Sequence, residues 1–180
     1  LRVLGVINTG KVNYSSSIIS YFSLIAMLGV TSYAVREGAK RKNNPVEFGQ
    51  FVREVFTINV ISTAASYLLL FFAILAVPNF REYSKLLLIQ SLSIALTTLG
   101  VDWINTIFED FLLITVRSII THIVSLVLLF ALVHGPQDLY KYAFLTVVTN
   151  GIICISNWVY CRRYVKLTLT KKPNISTHIK

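Results

Sequence analysis

The residue types that can do chemistry are scarce in this sequence, and the most informative of them lie inside or beside long apolar runs. Asp102 and Arg117 stand within hydrocarbon-length segments, and Glu109 lies in the turn between them. An ionisable group at such a position is costly unless it faces a protein interior, pairs with a partner or reaches the interface. Glu109 and Arg117 are placed where they could snorkel to the interface. Asp102 has a short side chain that snorkels poorly, so it calls for a buried partner or a functional role. His122 and His134 have no acidic neighbours in sequence that would make a general acid–base dyad. No second His, Cys or carboxylate stands at metal-ligand spacing around His122, which reads as a hydrogen-bonded packing residue. Cys154 and Cys161 sit two helical turns apart, about 10 Å, too far for a disulfide. No catalytic residue, metal or cofactor is assigned.

A phosphate-loop pattern is also ruled out. Gly5 to Lys11 matches G-x-x-x-x-G-K, but Val12 stands where a Ser or Thr hydroxyl would meet Mg²⁺. No hydrophobic strand precedes it and a long apolar run follows. Asn13-Tyr14-Ser15 and Asn174-Ile175-Ser176 are glycosylation sequons by pattern alone.

The elements that must position these residues are read from the apolar runs. Hydrophobic residues make up 54% of the 180, charged residues only 14%, and the mean hydropathy is +0.65, far more apolar and less charged than a soluble domain. Five runs are each near the ~20 residues that cross a ~30 Å hydrocarbon layer: about 12–35, 55–77, 86–108, 114–133 and 142–160. Lipid offers no partner to backbone N–H and C=O groups, so the runs must be helices. The expected fold is all-α, a polytopic transmembrane bundle over 1–161 with a basic cytoplasmic tail at 162–180. Loops are expected at Arg36–Phe51, Pro78–Lys85, Glu109–Leu113 and His134–Lys141. The chain starts at Leu1 and its single methionine is Met27, so the native N-terminus is expected upstream or processed. No signal-peptide pattern precedes the first run.

Each run carries polar residues at helical spacing. The first has Asn13, Ser16, Ser20 and Ser23; the second Asn59, Ser62, Thr63 and Ser66; the third Thr98, Asp102, Asn105 and Glu109. The fourth has Ser118, Thr121, His122 and Ser125, and the fifth Thr146, Asn150 and Asn157. Small and hydroxyl residues serve helix packing in membranes, but five such stripes favour a shared hydrated cavity. With the Arg36 loop on the cytoplasmic side, twelve of the 17 Lys and Arg fall there. Arg2, Lys11, Arg81, Lys85 and Lys141 fall on the other side, and the positive-inside rule selects this orientation. A net charge of +9 would also suit nucleic acid, but these charges flank lipid-length runs, so no nucleic-acid partner is expected.

Specific stretches stand out along the chain: Arg2-Val3-Leu4-Gly5-Val6, Gly10-Lys11-Val12-Asn13, Ser20-Tyr21-Phe22 and the run from Gly29 through Arg36-Glu37-Gly38-Ala39. Phe56-Thr57-Ile58-Asn59, Leu99-Gly100-Val101-Asp102-Trp103, and Glu109 with Ile114-Thr115-Val116-Arg117-Ser118 follow. Together these resemble the N-terminal half of polysaccharide flippases, the Wzx-type members of the multidrug/oligosaccharidyl-lipid/polysaccharide exporter superfamily. The likeness rests on specific motifs up to about Ser118 and mainly on hydropathy beyond. It implies a first bundle of a two-bundle transporter, its helix one before Leu1 and its second bundle after Lys180. The implied substrate is an undecaprenyl-pyrophosphate-linked oligosaccharide repeat unit, moved across a bacterial plasma membrane for surface polysaccharide. The implied partners are that substrate, membrane lipid and the second half of the transporter.

On that reading Lys11 and Arg117 would attract the pyrophosphate, and Asn59 and Asn150 would hydrogen-bond sugar hydroxyls. Asp102 and Glu109 would take up a coupling proton or cation, or Asp102 would simply pair with Arg117. Alternatives are a drug/cation antiporter of the same superfamily, which would need acidic groups deep in the cavity, and a membrane-embedded glycosyl- or acyltransferase.

Overall fold

The computed structural model describes residues 4–27, 29–165, 167 and 168. Among these there is no strand. The elements in chain order are α1 (Val6–Met27), α2 (Val30–Arg41), α3 (Pro45–Ala76), α4 (Pro78–Glu82), α5 (Ser84–Thr98), α6 (Asp102–Ile107), α7 (Phe111–Leu132), a 3₁₀ turn (Pro136–Asp138) and α8 (Leu139–Cys161). Among the described residues, five helical stretches are long and apolar enough to cross a membrane: Val6–Arg41, Pro45–Ala76, Ser84–Ile107, Phe111–Leu132 and Pro136–Cys161. The chain is a multi-pass membrane protein.

The first two spans outrun the hydrocarbon. At 1.5 Å per residue, the 32 residues of α3 cover about 48 Å against a ~30 Å layer. The expected loop from Arg36 to Phe51 is accordingly corrected: helix continues to Arg41, and α3 begins at Pro45, leaving a turn of three residues. Charge does not end a helix once it has left the hydrocarbon; a cap does. Here Asn44 Oδ1 accepts from the amides of Val46 and Glu47 at 3.2 and 3.4 Å, with Pro45 in the first helical position, where its missing N–H costs nothing. At its other end α3 stops before Pro78, as a proline after a helix requires.

Two spans are broken. The first divides between Met27 and Val30, where Gly29 takes φ 68, a left-handed geometry that glycine adopts without penalty. The third is not continuous through Asp102 to Phe108 as expected. It ends at Thr98 and restarts at Asp102, with Val101 at φ 46. A β-branched residue in that region is strained and must be held by its surroundings; Val101 is 1% exposed in the core. Side chains take over carbonyls near both breaks. Ser62 donates to the Ala26 carbonyl at 2.6 Å, and the Trp158 indole donates to the Leu99 carbonyl at 2.7 Å.

The breaks divide the packing into layers. Toward the turn at Lys42–Asn44, one core gathers Ala34, Phe48, Phe51, Val52, Trp103, Ile104 and Ile107, from α2, the first half of α3 and α6. A second core joins Ile18, Ile19 and Ala26 of α1 to Leu70 of α3 and Leu87 and Ile94 of α5. Gly38 brings α2 against α6, since a Cβ there would sit 2.4 Å from Ile107 Cδ1. The segment after α8 folds back on the first layer: Tyr164 stacks on Phe108 with ring centroids 3.8 Å apart and donates to Asp110 at 2.5 Å. That hydrogen bond, with burial, pushes the Tyr164 phenol above its ordinary range. Arg2, Lys166, Lys171, Lys172, Lys180 and the Asn174 sequon lie outside the described residues.

Candidate functional site

A cavity of about 320 Å³ opens where both broken spans meet α3 and α8. It is lined by Met27 and Thr31 from either side of the first break and by Leu96, Thr97, Thr98, Gly100, Asp102 and Trp103 around the second. Asn59 of α3 and Asn150, Ile153 and Asn157 of α8 complete it. Asn59 sits near the middle of α3 and Asn150 at the middle of α8, so the cavity lies within the bundle. Backbone that leaves helix geometry at membrane depth is tolerated where it lines such a cavity, and broken helices of this kind form transporter binding sites.

The wall is polar but nearly uncharged. Among the described residues that line it, Asp102 alone carries a charge, and its carboxylate accepts from Arg117 Nη2 at 3.0 Å. Arg117 is mostly enclosed, its side chain 10% exposed against 56% for Asp102. Its second nitrogen, Nη1, donates to Asn157 Oδ1, which also accepts from Asn105 Nδ2 at 2.8 Å. The Asp102–Arg117 pair therefore neutralises itself and spends its polarity on orienting Asn157.

Three buried polar atoms on the lining residues have no protein partner: Asn59 Oδ1, Trp103 Nε1 and Asn157 Nδ2. Their residues are 5%, 4% and 0% exposed. An acceptor and two donors without partners thus sit on lining residues, each atom itself covered; a ligand rich in hydroxyls suits such a set, because each hydroxyl both donates and accepts. Buried polar groups otherwise find partners; Ser15 Oγ and Gln90 Oε1, in the packing of α1 against α5, are open in the same way, so what sets this group apart is that its three residues line one cavity.

The residues expected to act together are only partly assembled. Asn59, Asn150 and Asp102 line the cavity, and Arg117 stands directly behind its wall. Lys11 does not reach it, since it lies sixteen residues, about 24 Å, before Met27 along α1. Glu109 is also elsewhere. It lies past the far end of α6 with φ 59, its side chain 69% exposed and paired with Lys42 Nζ at 3.2 Å.

The five stripes divide as well. Those of the second, third and fifth spans contribute to the cavity. The first is turned outward, with Asn13, Ser16 and Ser20 exposed and the Ser20 hydroxyl satisfied by the Ser16 carbonyl. Ser62, Thr63 and Ser66 are seams: they bond the Ala26 carbonyl, Thr98 Oγ1 and the Phe22 carbonyl. In the fourth span, Ser125 meets Thr149 of α8 at 3.2 Å. Asn157 and Trp103 were not singled out as site residues from sequence; an amide in a charge-free span and the Asp-Trp pair were their signals. Gly5 to Val12 runs into α1, with Gly10 and Lys11 inside that helix, and forms no phosphate loop.

A bundle of broken and continuous apolar helices around a neutral, hydrogen-bonding cavity defines a polytopic membrane protein. The sequence matches the polysaccharide biosynthesis protein family over residues 1–179, and the chain belongs to that family. No curated protein and no solved structure matches it.

Proposed function

We propose that this chain is a component of a transporter that flips lipid-linked oligosaccharide repeat units across the plasma membrane of a bacterium for surface polysaccharide assembly, and that it is not an enzyme. The observation carrying the reading is the cavity within the bundle, with Asn59, Trp103 and Asn157 holding open hydrogen-bonding atoms. Sugar hydroxyls cannot cross hydrocarbon unaided, because desolvating them without partners is costly. Amide and indole groups replace that water without the strong field that would trap a charged species. Asn59 and Asn150 bind sugar hydroxyls, and Arg117, bonded to the lining residues Asp102 and Asn157, is the cation for the substrate's phosphate. Rocking of this bundle against a second one would open the cavity to each leaflet in turn.

A cation antiporter would need an unpaired acidic group in the cavity. Asp102 is held by Arg117, which weighs against that alternative. The same pairing weighs against Asp102 as an ion-coupling site.

The test is export in a strain lacking its own flippase, using the protein that contains this chain. Asn59→Leu and Asn150→Leu keep side-chain size and remove the polar contacts. Each should reach normal membrane abundance and lower affinity for purified lipid-linked oligosaccharide roughly tenfold, with export falling in step. Normal export and affinity in both would remove the cavity from the mechanism.

A further inference from the structure

Arg117 separates two voids of opposite character. On one side its guanidinium donates to Asp102 and Asn157, both of which line the polar cavity. On the other it borders a groove of about 480 Å³ between α7 and α8, walled mainly by Leu112, Val116, Ile120 and Ile152, with Ser156, Tyr160 and Asp110 also in its lining; the Asp110 carboxylate accepts from Tyr164. Two donors at this groove are buried and unpartnered: Arg117 Nε and the hydroxyl of Thr121. Thr121 is 1% exposed and lies four residues after Arg117, so the two share one helix face. A guanidinium offers five N–H donors, and the bonds to Asp102 and Asn157 leave Nε–H for an acceptor in the groove.

We infer that the α7–α8 groove holds the apolar chain of the lipid-linked substrate, its phosphate accepting from Arg117 Nε and Thr121 while its sugars occupy the polar cavity. This rests on the transport reading above and assigns the route of the lipid. Three chemistries succeed one another along the protein: hydroxyl-binding amides, a cation with open donors, and a mainly apolar trough. A lipid pyrophosphate sugar presents a polar head, an anionic junction and a hydrocarbon chain in that order. A bulk anionic phospholipid matches the last two parts and leaves the cavity unfilled. The groove also opens laterally, since Thr121 is the buried residue of α7 while Ile119, Ile120 and Ile123 are exposed. The chain would thus stay in contact with the bilayer while the head crosses.

The experiment uses the purified protein in nanodiscs with a photoreactive undecaprenyl phosphate, the labelled residues being located by mass spectrometry. Labelling should concentrate on 112–121 and 152–160. It should be lost in Ile120→Trp, which fills the groove from a position 55% exposed in the fold. In Thr121→Val it should weaken about tenfold, the loss of one hydrogen bond to an anion. Leu126→Trp, also on exposed α7 surface at 56%, should leave it unchanged, and melting temperatures confirm that each variant is folded. Unlabelled undecaprenyl phosphate should compete and phosphatidylglycerol should not. Even labelling along all of α7, or equal competition by phosphatidylglycerol, would overturn the assignment in favour of ordinary boundary lipid. Oligosaccharide binding that still falls in Asn59→Leu while groove labelling fails would sink this inference and leave the transport reading standing. Groove labelling that persists while Asn59→Leu and Asn150→Leu bind oligosaccharide normally would sink the transport reading instead.

Discussion

Asp102 and Arg117 form one ion pair whose two ends are unequal. The carboxylate is more than half exposed, whereas the guanidinium is nearly enclosed and also serves Asn157. Solvent screens the Asp102 end, so Asp102→Asn should cost about 1 kcal/mol or less. Arg117→Gln removes the cation and a donor to a buried amide, and should cost about 1.5–3 kcal/mol. Thermal melts of the two variants and of the double variant measure this. A double variant that recovers part of the sum marks a pair whose main cost is the uncompensated charge. Equal losses in the two single variants would contradict the asymmetric burial. Export by Arg117→Gln at normal abundance would remove Arg117 from the substrate path, whatever the melts show.

At the scale of elements, the two helix breaks set the stability pattern. Ser62 and Ser66 make hydrogen bonds of similar length from α3 to α1, 2.6 and 2.7 Å, yet their acceptors differ. The Phe22 carbonyl lies within α1 and has its helical partner. The Ala26 carbonyl lies beside the break at Gly29, where Ser62 is the partner the structure gives it. Ser66→Ala should therefore cost about 0.6 kcal/mol, an ordinary membrane side-chain bond, and Ser62→Ala about 1–3 kcal/mol, because it orphans a buried acceptor. Chemical or thermal unfolding in detergent ranks the two, and equal costs would mean that water satisfies Ala26.

The glycines follow the same logic. A Cβ at Gly100 would meet the Leu96 carbonyl at 2.7 Å, a backbone atom that cannot rotate away, whereas at Gly38 it meets the mobile end of Ile107. Gly100→Ala should destabilise more than Gly38→Ala, by about 1–3 kcal/mol. The shapes of the Gly-Val-Asp-Trp and Glu-Gly-Ala stretches thus have physical causes: a break within one span in the first, a close helix approach in the second.

At the scale of the whole molecule, the turns sort into two ends. Lys42–Asn44, the residues around Glu109 and the end of α8 lie together, joined by Lys42–Glu109 and Tyr164–Asp110. The start of α1 meets the α7–α8 connection at the other end, where Asn8 donates to the Pro136 carbonyl. The proposed orientation puts the first end in the cytoplasm. A cysteine introduced at Lys42 should then be shielded from a membrane-impermeant thiol reagent in intact cells, and one at Glu82 or Gln137 labelled. Cys154 and Cys161 are both buried and should give little background. Labelling at Lys42 without permeabilisation would invert the orientation.

The number of spans, their helical character and the polarity of the middle spans were legible in the sequence. Length and hydropathy decide whether a segment can satisfy its own backbone in lipid, and both are local properties. Asp102 and Arg117 were legible as an unusual pair for the same reason: a charge in an apolar run needs no neighbour to be conspicuous. Helix ends were less legible where charge was taken for loop, as at Arg36–Phe51, although Asn44-Pro45 carried the signal. Which stripe faces which neighbour was decided by tertiary structure alone. The Ser16–Ser20 face turns outward, Ser62 and Ser66 close a seam, and Asn59 and Asn157 open onto a cavity, though all read alike as polar residues at helical spacing. That outcome depends on the breaks at Gly29 and Val101, which re-aim the chain by a few backbone dihedrals, and on packing across helices distant in sequence. Lys11, Glu109 and Arg117 carry equal prominence as charges in the sequence; only the path of the helices puts Arg117 at the cavity wall and the other two away from it.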